Sequence, residues 1–339
     1  MTPPPARLPA PRPETLDVNA MTVKSKSGKT LEHAISLSHE YQSDADSSST
    51  TRAYATDWAA FEEWCKINVL PALPATPETV GAYLASCGEA YAMSTLRRRV
   101  AAIARKHRHE NHPLDVHHKS IRETLRGIAR NHATPQKQAA ALTTNEIVRL
   151  IEVCGDDLTG LRDKALFLMG FSGALRRSEL VVLTVANIRF IDDGMQITIE
   201  RSKTDAEAEG AVLTIARGSS SETCPVFALK EWMKAAEISY GAIFRKVDRW
   251  GKVHEKGLVP DAVRQILKKR AAMAGIKGTV MEPISPHGLR SGFVTTAYRS
   301  GAMDEDIMGH TRHKTLTTMR RYIRRSKLGA KSVSSKIGL

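Results

Sequence analysis

Apolar residues return every three or four positions between Thr51 and Trp64. Tyr54, Trp58, Phe61 and Trp64 fall on one stripe, the spacing of a helix with a single buried face. Thr76-Pro77-Glu78-Thr79 reads as the next helix start, with Thr76 as N-cap and Pro77 at the first helical position, where its missing N–H has no intrahelical bond to lose. Ser94 reads as the cap of a third helix, whose apolar face is Leu96, Val100, Ile103 and Ala104, and Ile121 to Ala129 gives a fourth. Residues 31–132 are therefore expected to form an all-helical domain. Residues 1–30, rich in Pro, Thr, Ser and Lys, are expected to be a disordered tail. The polar run from His132 to Gln138 reads as exposed, placing a linker at 133–142. Beyond it, Thr144 is expected to cap a helix reaching Cys154, and Asp163 to Phe171 gives a strongly apolar one. The period then changes to two over Met195 to Glu200, directly after the turn signal Asp192-Asp193-Gly194, and Ala211 to Ala216 reads as a second strand. Helices are expected from Pro225 onward. Residues 143–325 thus read as a second helical domain with a small antiparallel sheet, followed by a tail at 326–339. No internal repeat is visible.

Charge narrows the class of partner. The 339 residues carry 50 Lys and Arg against 36 Asp and Glu, a net charge of +14, which suits a polyanion whose counterions are released on binding. The charge is also clustered. Ser94 to Asn131 holds ten Lys or Arg, five His and three acids, and the last thirty residues hold nine Lys or Arg and no acid. Phosphate contacts are the functional reading of both stretches, and a solvated helix face is the bland one. Arg52, Arg97, Arg98, Arg99, Lys106, Arg320 and Arg321 are the residues expected to bind DNA or RNA. Cys65, Cys87, Cys154 and Cys224 show no CxxC spacing, which argues against a zinc site or a disulfide framework. No apolar run approaches the roughly 18 residues of a membrane span, and the start of the chain lacks the apolar core of a secretory signal. A cytoplasmic location is expected.

The chemistry lies in an ordered set of polar residues in the second half. Arg176 and Glu179 stand three apart at a helix start; Arg176 is preferred over the adjacent Arg177 because of that spacing to the acid. Lys203 sits in Arg201-Ser202-Lys203-Thr204-Asp205, after a strand. Ser285-Pro286-His287-Gly288-Leu289-Arg290 reads as an N-cap followed by a first turn holding His287 and Arg290. Cations there oppose the helix dipole, a conflict that a bound anion relieves. Tyr322 reads as a tyrosine on a basic helix, nine residues after His313. Taken singly, each feature is ordinary: a surface ion pair, a solvated lysine, a packed tyrosine.

Taken in order, Arg176, Lys203, His287–Arg290, His313 and Tyr322 resemble the tyrosine recombinase family, also called the phage integrase family, over about Thr51 to Tyr322. The resemblance implies a helical, SAM-like core-binding domain that binds DNA, followed by an α+β catalytic domain. The family commonly has Gly-His nine residues before its nucleophile. Here Gly309-His310 is twelve residues upstream and Arg312-His313 has the usual spacing. The role therefore goes to His313, and an Arg stands where a Gly is usual.

The resemblance further implies that Tyr322 attacks a scissile phosphodiester of double-stranded DNA, leaving a 3′-phosphotyrosyl enzyme and a free 5′-hydroxyl. Arg176 and Arg290 would clamp the phosphate. His287 would take the tyrosine proton or bond the phosphate, and Lys203 would protonate the leaving oxygen. His313 would bond the phosphate or steady the pocket, and Glu179 would orient its neighbours. Neither a metal nor another cofactor is expected. Members act as tetramers on two DNA sites through a Holliday junction, in integration or excision, with accessory proteins setting direction in some systems; the tail at 326–339 is a candidate docking segment. A type IB topoisomerase and a non-catalytic DNA-binding regulator are the competing readings. The target sequence is not legible from helix patterns.

Overall fold

The computed structural model describes residues 30–44, 47–132, 134–135, 137–200 and 210–323. All of the expected tails at 1–30 and 326–339 except Thr30, and Lys203, lie outside the described residues. The chain divides into two compact units between Thr134 and Pro135.

The first unit is all-helical: α1 (Leu31–Asp44), α2 (Ser48–Ile67), α3 (Pro77–Ser86), α4 (Met93–His109) and α5 (Lys119–His132). The aromatic stripe of α2 is its inner face. Phe61 is fully buried, edge-on to Trp58 at 5.7 Å and to Tyr83 of α3 at 5.1 Å. Leu96, Val100, Ile103 and Ala104 of α4 are buried as the pattern predicts. Thr76 caps α3, its side chain accepting from the Thr79 amide. Ser94 does not cap α4; the helix begins one residue earlier and Ala92 occupies the N-cap without a side-chain bond. His107 cross-links the core: Nε2 accepts from the Ala75 amide at 2.9 Å, so Nδ1 carries the proton that it donates to the Ile103 carbonyl. Burial, foremost, lowers its pKa.

The second unit builds around α7 (Leu158–Ser172), with Ala165, Leu166, Phe167, Leu168 and Met169 all buried. It starts earlier than Asp163, because Asp157 accepts from the Gly160 amide at 3.0 Å and caps it. Asp163 itself is buried and paired with Arg162 at 2.7 Å and Arg270 at 2.8 Å. Before α7 stands α6 (Thr144–Glu152), capped by Thr143 and not by Thr144: Glu146 reaches back to the Thr143 amide at 2.9 Å. After α7 come α8 (Arg177–Val182) and a short 3-10 turn, then an antiparallel sheet of β1 (Ile188–Ile191), β2 (Gly194–Ile199) and β3 (Ala211–Ala216) in the order β1-β2-β3. The β1-β2 turn is Asp192-Asp193, as expected, with Ile191 opposite Gly194. A Cβ on Gly194 would lie 2.1 Å from the Ile215 carbonyl oxygen, which explains the glycine. Alternation buries Met195, Ile197 and Ile199 against Leu213 and Ile215.

Helices do not run unbroken from Pro225. After α9 (Pro225–Ala235) comes a second antiparallel pair, β4 (Arg245–Val247) and β5 (Val253–Gly257). These strands are short, and Arg, Lys, His and Glu fill five of their eight positions, so neither shows an apolar period. Asp248 closes their turn by accepting from the amides of Trp250 and Lys252, and Arg249 covers the exposed Trp250 ring at 4.0 Å. Four helices follow: α10 (Pro260–Met273), α11 (His287–Arg299), α12 (Asp304–Thr311) and α13 (Leu316–Arg320).

Part of the expected linker belongs to this unit. The amides of Gln138, Ala140 and Leu142 donate to the carbonyls of Met281, Pro283 and Gly288, and Ala141 and Leu142 are buried. The segment lies so close to α11 that a Cβ on Gly292 would stand 1.8 Å from the Leu142 carbonyl oxygen. Among the described residues, no helix is long and apolar enough to cross a membrane.

Candidate active site

Four chain segments of the second unit meet at one place. The turn after α7 ends in Arg176, which stands in extended conformation just before α8. The first turn of α11 supplies His287 and Arg290. The loop after α12 supplies Arg312 and His313, and the turn after α13 supplies Tyr322. Two expectations of local structure change. Ser285 is not the cap of α11, because the N-cap is Pro286 and it lacks a side-chain bond. Tyr322 is not within a helix: α13 ends at Arg320, and the Tyr322 amide closes a turn on the Met319 carbonyl at 2.9 Å.

Tyr322 lies between two histidines. Its ring centroid is 4.9 Å from that of His287 and 4.7 Å from that of His313. The Arg290 guanidinium carbon is 5.9 Å from the same ring. The tyrosine backbone is tied to α11, where Thr295 donates to its carbonyl at 3.1 Å. Val294, Ile307 and Met319 form the apolar floor beneath this turn.

Arg290 is fully buried. Nη1 donates to the Ala174 carbonyl at 2.6 Å, and Nη2 donates to the Thr311 carbonyl and lies 3.3 Å from His313 Nε2. Its Nε is buried without a hydrogen-bond partner among the described residues, an expensive state for a guanidinium N–H. Burial, aided by the charges of Arg176 and Arg312, pulls the Arg290 pKa down to about 10, which still leaves it cationic at neutral pH.

The hydrogen bonds fix the protonation of His313. Thr311 Oγ1 gives its one proton to the Ile307 carbonyl at 2.6 Å, so it accepts from His313 Nδ1, also at 2.6 Å. Nε2 is then the bare nitrogen and accepts from Arg290. A neutral ring agrees with a pKa lowered to about 3, by burial first and then by Arg290, Arg176, His287 and Arg312. His310 is elsewhere engaged: it stacks on Phe293 at 4.5 Å, and Nε2 bonds the Ser172 carbonyl at 2.7 Å.

Arg176 is half-buried and Arg177 exposed. Glu179, 3% exposed, accepts from Arg176 Nη1 at 2.6 Å and from the Arg176 amide at 2.9 Å. Its second cationic partner is Arg312, with Nη2 at 2.8 Å. Burial would raise the Glu179 pKa, but Arg312 and Arg176 together hold it low. Arg312 was not among the expected site residues; its one sequence signal is the Arg in place of Gly before His313. Thr311 was missed too, because a threonine that only seats a histidine leaves no pattern.

The expected DNA-binding residues divide. Arg52 and Arg97 are exposed. Arg98 is half-exposed and forks onto Asp57 at 2.7 and 3.2 Å, while Lys106 pairs with Glu110 at 2.6 Å. Arg99 is instead buried: it lies over Tyr91 at 3.8 Å, bonds Cys87 Sγ at 2.9 Å, and faces Asp57. Three consecutive residues cannot share one helix face, so one of Arg97, Arg98 and Arg99 turns inward. Tyr54, Trp58, Arg105, Lys106 and His109 line a cavity of about 320 Å³ along α2 and α4, with Arg105 over the Tyr54 ring. In the second unit, Arg320 pairs with Asp304 at 2.6 Å and Arg321 is exposed.

Residues 140–328 match the model of the Phage integrase family. The "Integrase/recombinase xerD homolog" of Selenomonas ruminantium is 34% identical over 282 residues, which cover 81% of each chain. The fold is similar to that of XerH site-specific recombinase in a post-cleavage complex with its difH substrate, with a TM-score of 0.62 and 16% identity over 84% of this chain and 78% of that one. It is similar also to lambda integrase in a tetramer bound to a Holliday junction, with a TM-score of 0.57 and 16% identity over 91% of this chain and 81% of that one. Matched by the family model over residues 140–328, more than half of its length, and by a relative along most of both sequences, the chain belongs to the phage integrase family, the tyrosine recombinases.

Proposed function

We propose that the chain recombines double-stranded DNA at specific sites by a 3′-phosphotyrosyl intermediate on Tyr322. The observation that carries this reading is the meeting of Tyr322 with His287, His313 and Arg290, from three separate segments, around one phenol ring. Tyr322 Oη attacks the scissile phosphorus, the P–O5′ bond breaks, and the 3′-phosphate stays on the tyrosine. Tyr322 Oη loses its proton as it attacks, and the exposed His287, with its ring 4.9 Å from the tyrosine's, is the base in this scheme. Lys203 returns a proton to the leaving O5′. Rejoining reverses these steps, so the bond energy is kept and neither ATP nor a metal enters the scheme.

Arg290 and Arg176 stabilise the charge that builds on the non-bridging oxygens. The partnerless Nε of Arg290 supports this role, since an incoming phosphate oxygen supplies what the buried donor lacks. His313 serves by holding Arg290 through Nε2; donating to the phosphate from that atom requires the other tautomer. Two strands exchanged in turn imply a Holliday junction and a homotetramer on two DNA sites, with accessory factors setting direction where the system needs them.

Tyr322→Phe tests the reading. On a nicked suicide substrate carrying the chain's selected binding site, wild type accumulates a covalent adduct. The variant binds the same DNA and forms none. An adduct in Tyr322→Phe removes Tyr322 as nucleophile, and relaxation of plasmids lacking the site favours a topoisomerase.

A further inference from the structure

We infer that Arg312 is a positioning residue: through one oxygen of Glu179 it ties the loop that carries His313 to the turn that carries Arg176, and so sets both arginines of the phosphate clamp. The inference rests on the recombinase reading above.

The backbone is the first observation. α12 ends at Thr311, and Arg312 takes the left-handed conformation, φ 57° and ψ 45°. A side chain disfavours that region, and glycine takes such helix ends without strain. An arginine kept there needs another reason, and its side chain supplies one. It turns inward, 12% exposed, and Nη2 meets Glu179 Oε2 at 2.8 Å, across 133 residues of chain.

The second observation is how Glu179 is shared. Oε1 accepts from Arg176 Nη1, and Oε2 accepts from Arg312 as well as from the Arg176 amide. A carboxylate with one guanidinium partner tends to take it bidentately. Arg312 occupies the second oxygen, so Arg176 is not drawn into a closed fork with Glu179 and keeps its orientation for phosphate.

The third observation joins the other arginine to the same turn. Thr311 offers its carbonyl to Arg290 and its hydroxyl to His313, and His313 bonds Arg290 in turn. Residues 311–313 therefore hold Arg290 directly and Arg176 by way of Glu179. The left-handed residue between Thr311 and His313 lets neighbouring side chains reach in different directions. One short turn sets the spacing between the two cations.

Three variants of the full chain test this: Arg312→Gly, which keeps the turn and removes the tie; Arg312→Asn, whose side chain tolerates the left-handed region; and Arg312→Lys, which keeps the charge without the fork. The measurements are single-turnover adduct formation at saturating suicide DNA, DNA affinity, and thermal melting. With Gly and Asn, the adduct rate is expected to fall about 10- to 100-fold, the range for losing a group that orients a functional one, while affinity and melting hold. Lys is expected to recover part of the rate. Glu179→Gln is expected to slow Arg312→Gly by a smaller factor than it slows wild type, because part of its effect runs through the link already cut, while its direct bonds to Arg176 account for the rest. A rate near that of wild type in both Gly and Asn overturns the inference. So does a loss that follows melting temperature or affinity across the three variants. Wild type that binds but forms no adduct overturns the recombinase reading, and this inference with it.

Discussion

Tyr322 has no unusual residue type around it; what distinguishes it is that two of its neighbours, Arg290 and His313, are themselves held. His313 is fixed by Thr311 on one nitrogen and Arg290 on the other, and that fixity has a price in acid. The unfolded chain takes up this proton near pH 6.5, the ordinary value, whereas the folded ring stays neutral down to about 3. The unfolded state thus binds more protons across that window. The stability His313 contributes is complete above pH 6.5 and is lost as pH falls towards 3, with a slope of up to about 1.4 kcal/mol per pH unit. Urea denaturation at pH 7.5, 6 and 5 is expected to show a shallower decline in His313→Asn than in wild type; equal slopes rule this out. His107 and His310, also lowered chiefly by burial, leave a residual slope of the same sign. Arg99 offers a second test at this scale. Enclosed by Tyr91, Cys87 and Asp57, it is expected to cost about 2–3 kcal/mol of stability as Arg99→Ala, since a buried Asp57 loses a partner. Arg97→Ala, on the exposed side, is expected to lower DNA affinity with stability unchanged.

Among the elements, α11 matters most, because it carries His287 and Arg290 and accepts the extended segment 138–142. Gly288 and Gly292, four apart on one face, let that backbone approach; added Cβ atoms would lie 2.3 Å from the Ala140 oxygen and 1.8 Å from the Leu142 oxygen. Gly292→Ala is therefore expected to push the segment away and cost about 1–3 kcal/mol, the usual penalty for overpacking. Chemical denaturation measures this, and an unchanged midpoint would show that the segment shifts freely. The sequence showed a helix start here but not the contact, because a backbone laid against glycines leaves no apolar period. The β4-β5 pair escaped for a related reason: alternation cannot be seen in Arg245-Lys246-Val247 and Val253-His254-Glu255-Lys256-Gly257. By contrast, α2 and α4 each bury one clean face, and both were legible.

At the scale of the molecule, the two units have separate hydrophobic cores, one centred on Phe61, Leu84 and Ile103 and the other on Phe167, Leu229 and Trp232. Each core is built from residues of its own unit. Residues 30–134 and 135–339, made separately, are each expected to unfold cooperatively in a thermal scan; a fragment without a transition would show that it depends on its neighbour. With a net charge of +14, the whole chain is expected to lose DNA affinity steadily as salt rises, by about 0.9 in log K per log salt for each phosphate contacted.

The sequence by itself determined the helix-rich fold with a small antiparallel sheet, the buried faces of α2 and α4, the Asp192-Asp193 turn and the strands β2 and β3, because periodicity and turn signals are local and survive without coordinates; β1, four residues long and without an apolar period, escaped it. It also separated His313 from His310, since nine residues before Tyr322 is a statement about chain length. Tertiary structure alone decided that Arg99 turns inward, that residues 138–142 belong to the second unit, and that Arg312 joins Glu179. These depend on partners 12 to 146 residues away in the chain, and no local pattern records which distant group a side chain meets.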